Sequence, residues 1–208
     1  MDDSMIKSEI VYFEEGGAEH TDLTLDLSLK AAKDLGIGKI VVASNTGETG
    51  VKAAEKFHAS GVKLIVVGHQ TGFPVPGKNQ FLPENKEAIE ELGGVVCLGS
   101  DVLTNSIRMR QRLGHSHLSY ITSTLISMKV KVNVEIVAKA ADAGFLEPGE
   151  RVISVAGSHM GADTAVVFTA DETSNVLAIR PLQYIAMPLS RKKADEEYMA
   201  KRRAAQSS

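Results

Sequence analysis

Residues 39–55, KIVVASNTGETGVKAAE, decide the fold of this 208-residue chain. Lys39–Ala43 is an apolar, largely β-branched run of the kind that forms a strand buried on both faces. Hydroxyl residues and two glycines then turn the chain over residues 44–50, and a helix is expected to begin inside that turn. The pattern predicts a strand, a loop and a helix in immediate succession.

The loop of this unit has the chemistry of an anion site. The first N–H groups of a helix have no partners within the helix and lie at the positive end of its dipole, so phosphate or carboxylate binds there readily. The hydroxyls of Ser44, Thr46 and Thr49 add donors, while Gly47 and Gly50 let the backbone approach a ligand closely. The alternative is that Ser44 or Thr46 only caps the helix.

Composition indicates an ordinary globular protein. Hydrophobic residues make up 43% and charged residues 24% of the chain, and no apolar run approaches the roughly 18–20 residues that cross a bilayer. No secretory signal pattern opens the sequence, so we expect a cytoplasmic protein without a membrane partner. A net charge of −3 and 5% aromatic residues also argue against a nucleic-acid partner, which would require a basic face with interspersed aromatics.

The apolar pattern of the opening strand recurs along the chain. Leu64 falls 24 residues after Ile40, a spacing that suits a strand–helix–strand crossover and parallel neighbours. Two later strands, 151–156 and 164–169, follow each other too closely for a helical crossover and are expected to pair antiparallel. Strands are predicted at 8–13, 39–43, 63–67, 95–98, 151–156, 164–169 and 175–180, with 181–188 irregular. Helices are predicted at 22–35, from the turn to about 60, at 84–92, at 103–113, from about 132 to 143, and in the tail from 190 to 204.

The connection over residues 69–83, HQTGFPVPGKNQFLP, contains three prolines and two glycines and is too broken for a helix or a strand. Loops of this length in compact domains are typically lids or binding loops. Metal binding is not expected, because His115 and His117 are too few ligands for a site. The single cysteine, Cys97, lies in an apolar strand and is interpreted as a buried hydrophobe.

Two stretches carry a resemblance to a known family. KIVVASNTGET, residues 39–49, is similar to an apolar strand followed by T-x-S-G-x-T, and GFLEPGERVI, residues 144–153, is similar to a helix-ending glycine, a Gly-Asp pair and a strand. In these features the chain resembles the C-terminal α/β domain of pyruvate kinase, and more closely the archaeal and bacterial proteins built from that domain alone. The resemblance implies a three-layer α/β/α fold with a mostly parallel sheet and an antiparallel edge. We expect one ligand-binding domain over residues 1–188 and a C-terminal helix and tail over 189–208.

The resemblance also implies a ligand. In pyruvate kinases with a sugar bisphosphate activator the T-x-S-G-x-T loop grips a phosphate, which points here to Ser44, Asn45, Thr46, Gly47 and Thr49. Relatives built from this domain alone are expected to hold flavin mononucleotide (FMN). Pyruvate kinase activity is not expected, because its catalytic β/α barrel of roughly 250 residues does not fit within this sequence.

The remaining candidate residues follow other strand ends. If the strands are parallel, the loops after residues 13, 43, 67, 98 and 156 open on one edge of the sheet, where open α/β folds bind ligands. Phe73 or Phe81 is expected to cover the flavin ring. The predicted cofactor-binding set is Ser44, Asn45, Thr46, Gly47, Glu48, Thr49, Gly68, His69, Gln70, Thr71, Gly99, Ser100, Gly157, Ser158 and His159.

Three functions remain open on these grounds. The first is binding of a phosphorylated small molecule, with FMN as the expected ligand. The second is a flavin- or phosphate-ester-dependent enzyme of unknown reaction with His69, His159 or Asp163 as acid–base groups, although no nucleophile–base set is recognisable by spacing. The third is an assembly subunit whose loops bind nothing. Homo-oligomerisation is expected in any case, because Tyr198 and Met199 lie among the charges of the tail helix.

Overall fold

The protein is described by a computed structural model, which covers Met5, residues 7–103, His117, residues 128–157 and residues 160–190. The strands of this part are β1 (Val11–Glu15), β2 (Lys39–Ala43), β3 (Lys63–Gly68), β4 (Val95–Leu98), β5 (Arg151–Ala156), β6 (Thr164–Thr169) and β7 (Arg180–Ser190). The helices are α1 (Thr21–Leu35), α2 (Glu48–Phe57), α3 (Pro83–Glu91) and α4 (Met128–Asp142). Short 3₁₀ turns occur at Ala18–His20 and Thr173–Ala178.

The described strands form one sheet in the order β1-β7-β6-β5-β2-β3-β4. β5, β2, β3 and β4 are parallel neighbours, as are β1 and β7, while β6 runs antiparallel to both β5 and β7. The mostly parallel α/β fold class is therefore confirmed, with its antiparallel strand lying between β5 and β7. Because two reversals restore direction, β1 to β5 and β7 all end at the same edge, which we call the carboxyl edge.

Helices cover both faces of the sheet. Ile40 and Val42 of β2 lie in an apolar cluster that includes residues of α1, α2 and α3, whereas Val41 lies in a second cluster with α4. This division follows from the pleat, which directs successive side chains of a strand to opposite faces. The central strands are thus packed between two apolar cores, and the loops at the carboxyl edge extend from these packed strands.

Three element predictions change. β1 begins at Val11 rather than at residue 8, and α4 already includes Met128. The prediction of a short strand at 175–180 followed by irregular chain is wrong, because β7 spans Arg180–Ser190. The prolines of this segment led us to predict irregular chain. Pro181, however, lies beside an irregularity in the β6–β7 register, where the missing N–H is tolerated. The predicted 103–113 helix, apart from its first residue, and the tail helix beyond Ser190 lie outside the described residues.

Candidate functional site

The 44–49 segment forms a compact turn at the end of β2, held by the Ser44 hydroxyl. Its Oγ accepts hydrogen bonds from the N–H of Gly47 at 3.1 Å and from the N–H of Gly50 at 3.3 Å. Ser44 is buried, and its own N–H donates to the carbonyl of Val67 on β3. Ser44 therefore performs the capping role that the sequence left open, and it ties the start of α2 to the sheet.

Two other hydroxyl residues of the segment make fewer hydrogen bonds: Thr46, which is half-buried, and Thr49, which is 9% exposed. The Thr46 hydroxyl lies 3.5 Å from the Glu48 N–H, at the limit of a hydrogen bond. Within the described part of the chain, the N–H and the hydroxyl of Thr49 have no hydrogen-bond partner. The positive end of the α2 dipole thus retains donors, with the exposed side chain of Asn45 beside it.

The loop between β3 and α3, residues 69–82, braces this segment. The Thr46 carbonyl accepts hydrogen bonds from the Leu82 N–H at 3.0 Å and from the Asn85 side-chain amide at 2.9 Å. Gly47 has a positive φ of 97°, and a Cβ there would lie 2.5 Å from Asn85 Cβ and 2.9 Å from Phe81. A glycine is therefore required at this position for both conformation and space.

Phe81 fills the space between the strand ends. A Cβ on Gly68 would lie 2.8 Å from its ring, and the side chain is only 6% exposed. Phe81 is therefore part of the core, and the prediction that it covers a ligand ring is wrong. Phe73, which is half-buried, lies instead against His69, with ring centroids 4.9 Å apart.

A chain of charged groups lies at the ends of β3 and β4. The Lys139 ammonium, from α4, donates to the Gly68 carbonyl at 2.6 Å and to Asp101 Oδ1 at 3.1 Å. The other Asp101 oxygen, Oδ2, lies 3.1 Å from His69 Nδ1. Lys139 is 4% exposed and Asp101 9%, whereas the His69 ring is 31% exposed, so the chain runs from the interior to the surface.

The electrostatics of Asp101 follow from these contacts. Burial by itself raises the pKa of the carboxyl. The His69 hydrogen bond and the positive charge of Lys139 act in the opposite direction and prevail, so the pKa of Asp101 lies below its ordinary value. Asp101 is consequently a carboxylate at neutral pH and an acceptor at both oxygens.

The structure brings the described members of the predicted set to one edge. Ser44 to Thr49 follow β2, and Gly68 is the last residue of β3, with His69 to Thr71 after it. Gly99 and Ser100 follow β4, and Gly157 follows β5, which neighbours β2. Ser158 and His159 lie outside the described residues. Whether these residues bind a cofactor stays a prediction.

Asp163 has a structural place. It is fully buried, accepts a hydrogen bond from the Gly17 N–H at 3.1 Å, and accepts another from the Thr164 hydroxyl at 2.9 Å. These bonds join the loop after β5 to the segment before α1. These two bonds give its carboxylate a structural role, and the acid–base role considered from the sequence stays a prediction.

Sequence reasoning missed Lys139 as a site residue. A signal was present: Lys131, Glu135 and Lys139 recur every four residues with mostly apolar residues between them, which places them on one face. All three are buried, and Lys131 pairs with Glu135 at 2.5 Å. Charges buried on one helical face require partners, and Asp101 supplies the partner of Lys139.

Among the described residues, no three His, Cys, Asp or Glu side chains group in a way that could hold a metal ion. The described helices include none that is long and apolar enough to span a membrane.

Comparison with known proteins places the 44–49 segment in a family context. The family described as "Pyruvate kinase, alpha/beta domain" matches residues 22–168, a range that contains every predicted site residue. Among solved structures, the chain is similar to a pyruvate kinase from Cryptosporidium parvum at 12% identity and a TM-score of 0.41. The alignment covers 73% of this chain and 23% of that kinase.

Proposed function

Because the chain belongs to the pyruvate kinase α/β domain family, we propose that it binds a phosphorylated small molecule at the carboxyl edge, with FMN as the ligand. The observation that carries the proposal is the unpaired N–H and hydroxyl of Thr49 at the start of α2, within the described part of the chain. A phosphate there would gain charge-assisted hydrogen bonds and the favourable end of the helix dipole. The proposal is one of binding without pyruvate kinase chemistry.

The hydrogen bonds within the 44–49 segment reduce the number of groups that can donate a hydrogen bond to a phosphate. Ser44 is already engaged by Gly47 and Gly50, so its role is to shape the turn. The direct donors are then the hydroxyls of Thr46 and Thr49 with the N–H groups at the start of α2. This division predicts different effects for Ser44, whose loss would distort the turn, and for Thr49, whose loss would remove a ligand contact.

One charge opposes a phosphate at this place. Glu48 is the first residue of α2 and is exposed. Its carboxylate repels a dianion but is screened by water and salt, which limits the penalty. We therefore expect phosphate affinity to be moderate and to depend on ionic strength.

The flavin ring has apolar surface available beside the phosphate position. Phe73 is half-buried against His69, and Leu98 at the end of β4 is 38% exposed. An aromatic ring and an aliphatic side chain at neighbouring strand ends suit a planar apolar group. In this arrangement the flavin would extend from α2 across the ends of β3 and β4.

The test compares FMN with riboflavin, which has the same ring and no phosphate. Flavin fluorescence titrations would measure both affinities in the wild type and in Thr46→Ala/Thr49→Ala. We expect the double variant to lose about a hundredfold or more in FMN affinity, since each of the two hydrogen bonds to a charged group contributes about 1.5–3 kcal/mol. Riboflavin affinity should stay unchanged.

Ser60→Ala is the matched control. Its hydroxyl caps the Val62 N–H beyond the C-terminal end of α2, away from the carboxyl edge. FMN affinity should be unchanged in this variant. Equal FMN affinity in the wild type and the threonine double variant would refute the phosphate position. If saturating FMN and inorganic phosphate both left the melting temperature of the wild type unmoved, the assembly-subunit alternative would be favoured instead.

A further inference from the structure

Three ionisable side chains form a hydrogen-bonded series from the interior to the surface at the ends of β3 and β4. They are Lys139, Asp101 and His69, and we call this series the relay. Lys139 is the buried end, and its two acceptors are the Gly68 carbonyl and Asp101 Oδ1. An ammonium removed from water needs such partners, so Lys139 holds Asp101 in one orientation. A Cβ on Gly99 would lie 3.6 Å from Lys139 Cε, so the neighbouring strand end also packs on the lysine stem.

The orientation of Asp101 determines the state of His69. A carboxylate can only accept hydrogen bonds, so the 3.1 Å contact from Asp101 Oδ2 requires that His69 Nδ1 carries the proton. In a neutral imidazole the other nitrogen, Nε2, then has a free lone pair. The relay therefore produces the Nδ1–H tautomer, with Nε2 as an acceptor.

The backbone of His69 lies beside the 44–49 segment. Ala43 pairs with Val67 in the parallel β2–β3 register, so Asn45 and His69 stand at the same level, two residues beyond that pair. A Cβ on Gly68 would lie 3.2 Å from the Ser44 carbonyl, which shows how closely the two chains approach here. Nε2 has no hydrogen-bond partner within the described part of the chain, and the ring is 31% exposed.

We propose that His69 Nε2 is a specificity-determining acceptor of this site and binds an O–H or N–H group of the ligand. The ligand class is then a phosphorylated molecule that carries a hydrogen-bond donor beyond its phosphate, such as the ring N–H or a side-chain hydroxyl of FMN. The ligand contact rests on the proposed function, whereas the tautomer of His69 follows from the relay alone. Asp101 and Lys139 act as positioning residues.

A purely structural role for His69 makes a different prediction. If its only task were to pair with Asp101, any side chain that donates to Asp101 Oδ2 would replace it. His69→Asn tests this, because the asparagine amide can donate from a position near that of Nδ1 and lacks a group at the position of Nε2. His69→Gln carries the same amide on a side chain that is one methylene longer, and it is the matched variant for His69→Asn.

The first measurement is the imidazole ¹⁵N spectrum of the full chain labelled at histidine, recorded above the ordinary titration range of histidine and assigned with His69→Asn. We expect the Nδ1–H tautomer for His69 in the wild type, and its loss in Asp101→Asn, whose amide can donate to Nδ1. A predominant Nε2–H tautomer in the wild type would overturn the inference, whatever the ligand.

The second measurement is binding of FMN and inorganic phosphate to the wild type and to His69→Asn. We expect the variant to keep the wild-type melting temperature and phosphate affinity and to bind FMN about tenfold more weakly, the loss of one hydrogen bond. Unchanged FMN affinity with intact phosphate binding would overturn the role of Nε2 alone. If the wild type bound neither probe, the proposed function and the ligand contact would both fail.

Discussion

The substitution Lys139→Met tests whether the buried relay holds the carboxyl edge together. The ammonium makes two hydrogen bonds, to the Gly68 carbonyl at 2.6 Å and to Asp101 at 3.1 Å, and the side chain is 4% exposed. Methionine preserves most of the apolar volume, so the loss is chiefly electrostatic. Breaking a buried pair by removing one partner costs about 3–5 kcal/mol, because the other charge stays buried without compensation.

Urea unfolding of the wild type, Lys139→Met, Asp101→Asn and the double variant would measure this cost as a double-mutant cycle. We expect Lys139→Met to lower the free energy of unfolding by about 3–5 kcal/mol. The double variant should be less destabilised than the sum of the single variants by at least about 1 kcal/mol, because it no longer contains an uncompensated carboxylate. Additive effects, or a change below about 1 kcal/mol in Lys139→Met, would refute the reasoning.

Lys86→Met is the matched control for the loss of a lysine charge. Lys86 forms an exposed pair with Glu90 at 3.8 Å, with side-chain exposures of 47% and 48%. Pairs of this kind contribute little, and we expect a change within about 0.5 kcal/mol. A comparable loss in both lysine variants would show that burial of the Lys139 charge is not the cause.

Three further predictions concern the same edge. Gly68→Ala should destabilise the protein by about 1–3 kcal/mol, because its Cβ would lie 2.7 Å from Leu98 and 2.8 Å from Phe81; Gly99→Ala, where the nearest atom is 3.6 Å away, should change stability by under about 0.5 kcal/mol in the same urea assay. Glu48→Gln should raise FMN affinity roughly two- to fivefold at low salt, whereas Glu55→Gln, two turns along α2, should leave it unchanged; a loss in Glu48→Gln would contradict the phosphate position. The folded-state pKa of Asp101 is lowered, so its stabilisation is fully present above the unfolded-state value of about 4 and is lost as the pH falls through the folded-state pKa. The difference in unfolding free energy between the wild type and Asp101→Asn should therefore shrink below about pH 4, and a constant difference would contradict this assignment.

The strand–loop–helix unit at residues 39–55 could be predicted because its determinants are local. A run of apolar residues, a turn of hydroxyls and glycines and an amphipathic continuation specify β2 and α2 without reference to the rest of the chain. Strand spacing then implied parallel neighbours, and with them the shared carboxyl edge on which the described candidate residues lie. The sequence also showed that Ser44 could act as a cap, but it did not distinguish capping from ligand binding.

β7 and the relay required the tertiary structure. β7 contains two prolines that locally disfavour a strand, yet β6 and β1 pair with it on both sides and their ladders outweigh that local preference. Lys139 meets Asp101 across 38 residues and His69 meets Asp101 across 32. The residue pattern within one element does not predict contacts at such sequence separations. These contacts depend on which strand ends α4 packs against.

The amino-acid sequence by itself thus determined the α/β fold class and the edge at which ligand chemistry is expected, since both follow from short-range pattern and spacing. Only the tertiary structure decided which groups at that edge are already engaged and which are free. Ser44 is engaged by the start of α2, and Lys139 is engaged by Gly68 and Asp101. The physical reason is that a buried polar group must find its partner in space, and packing between distant elements selects that partner.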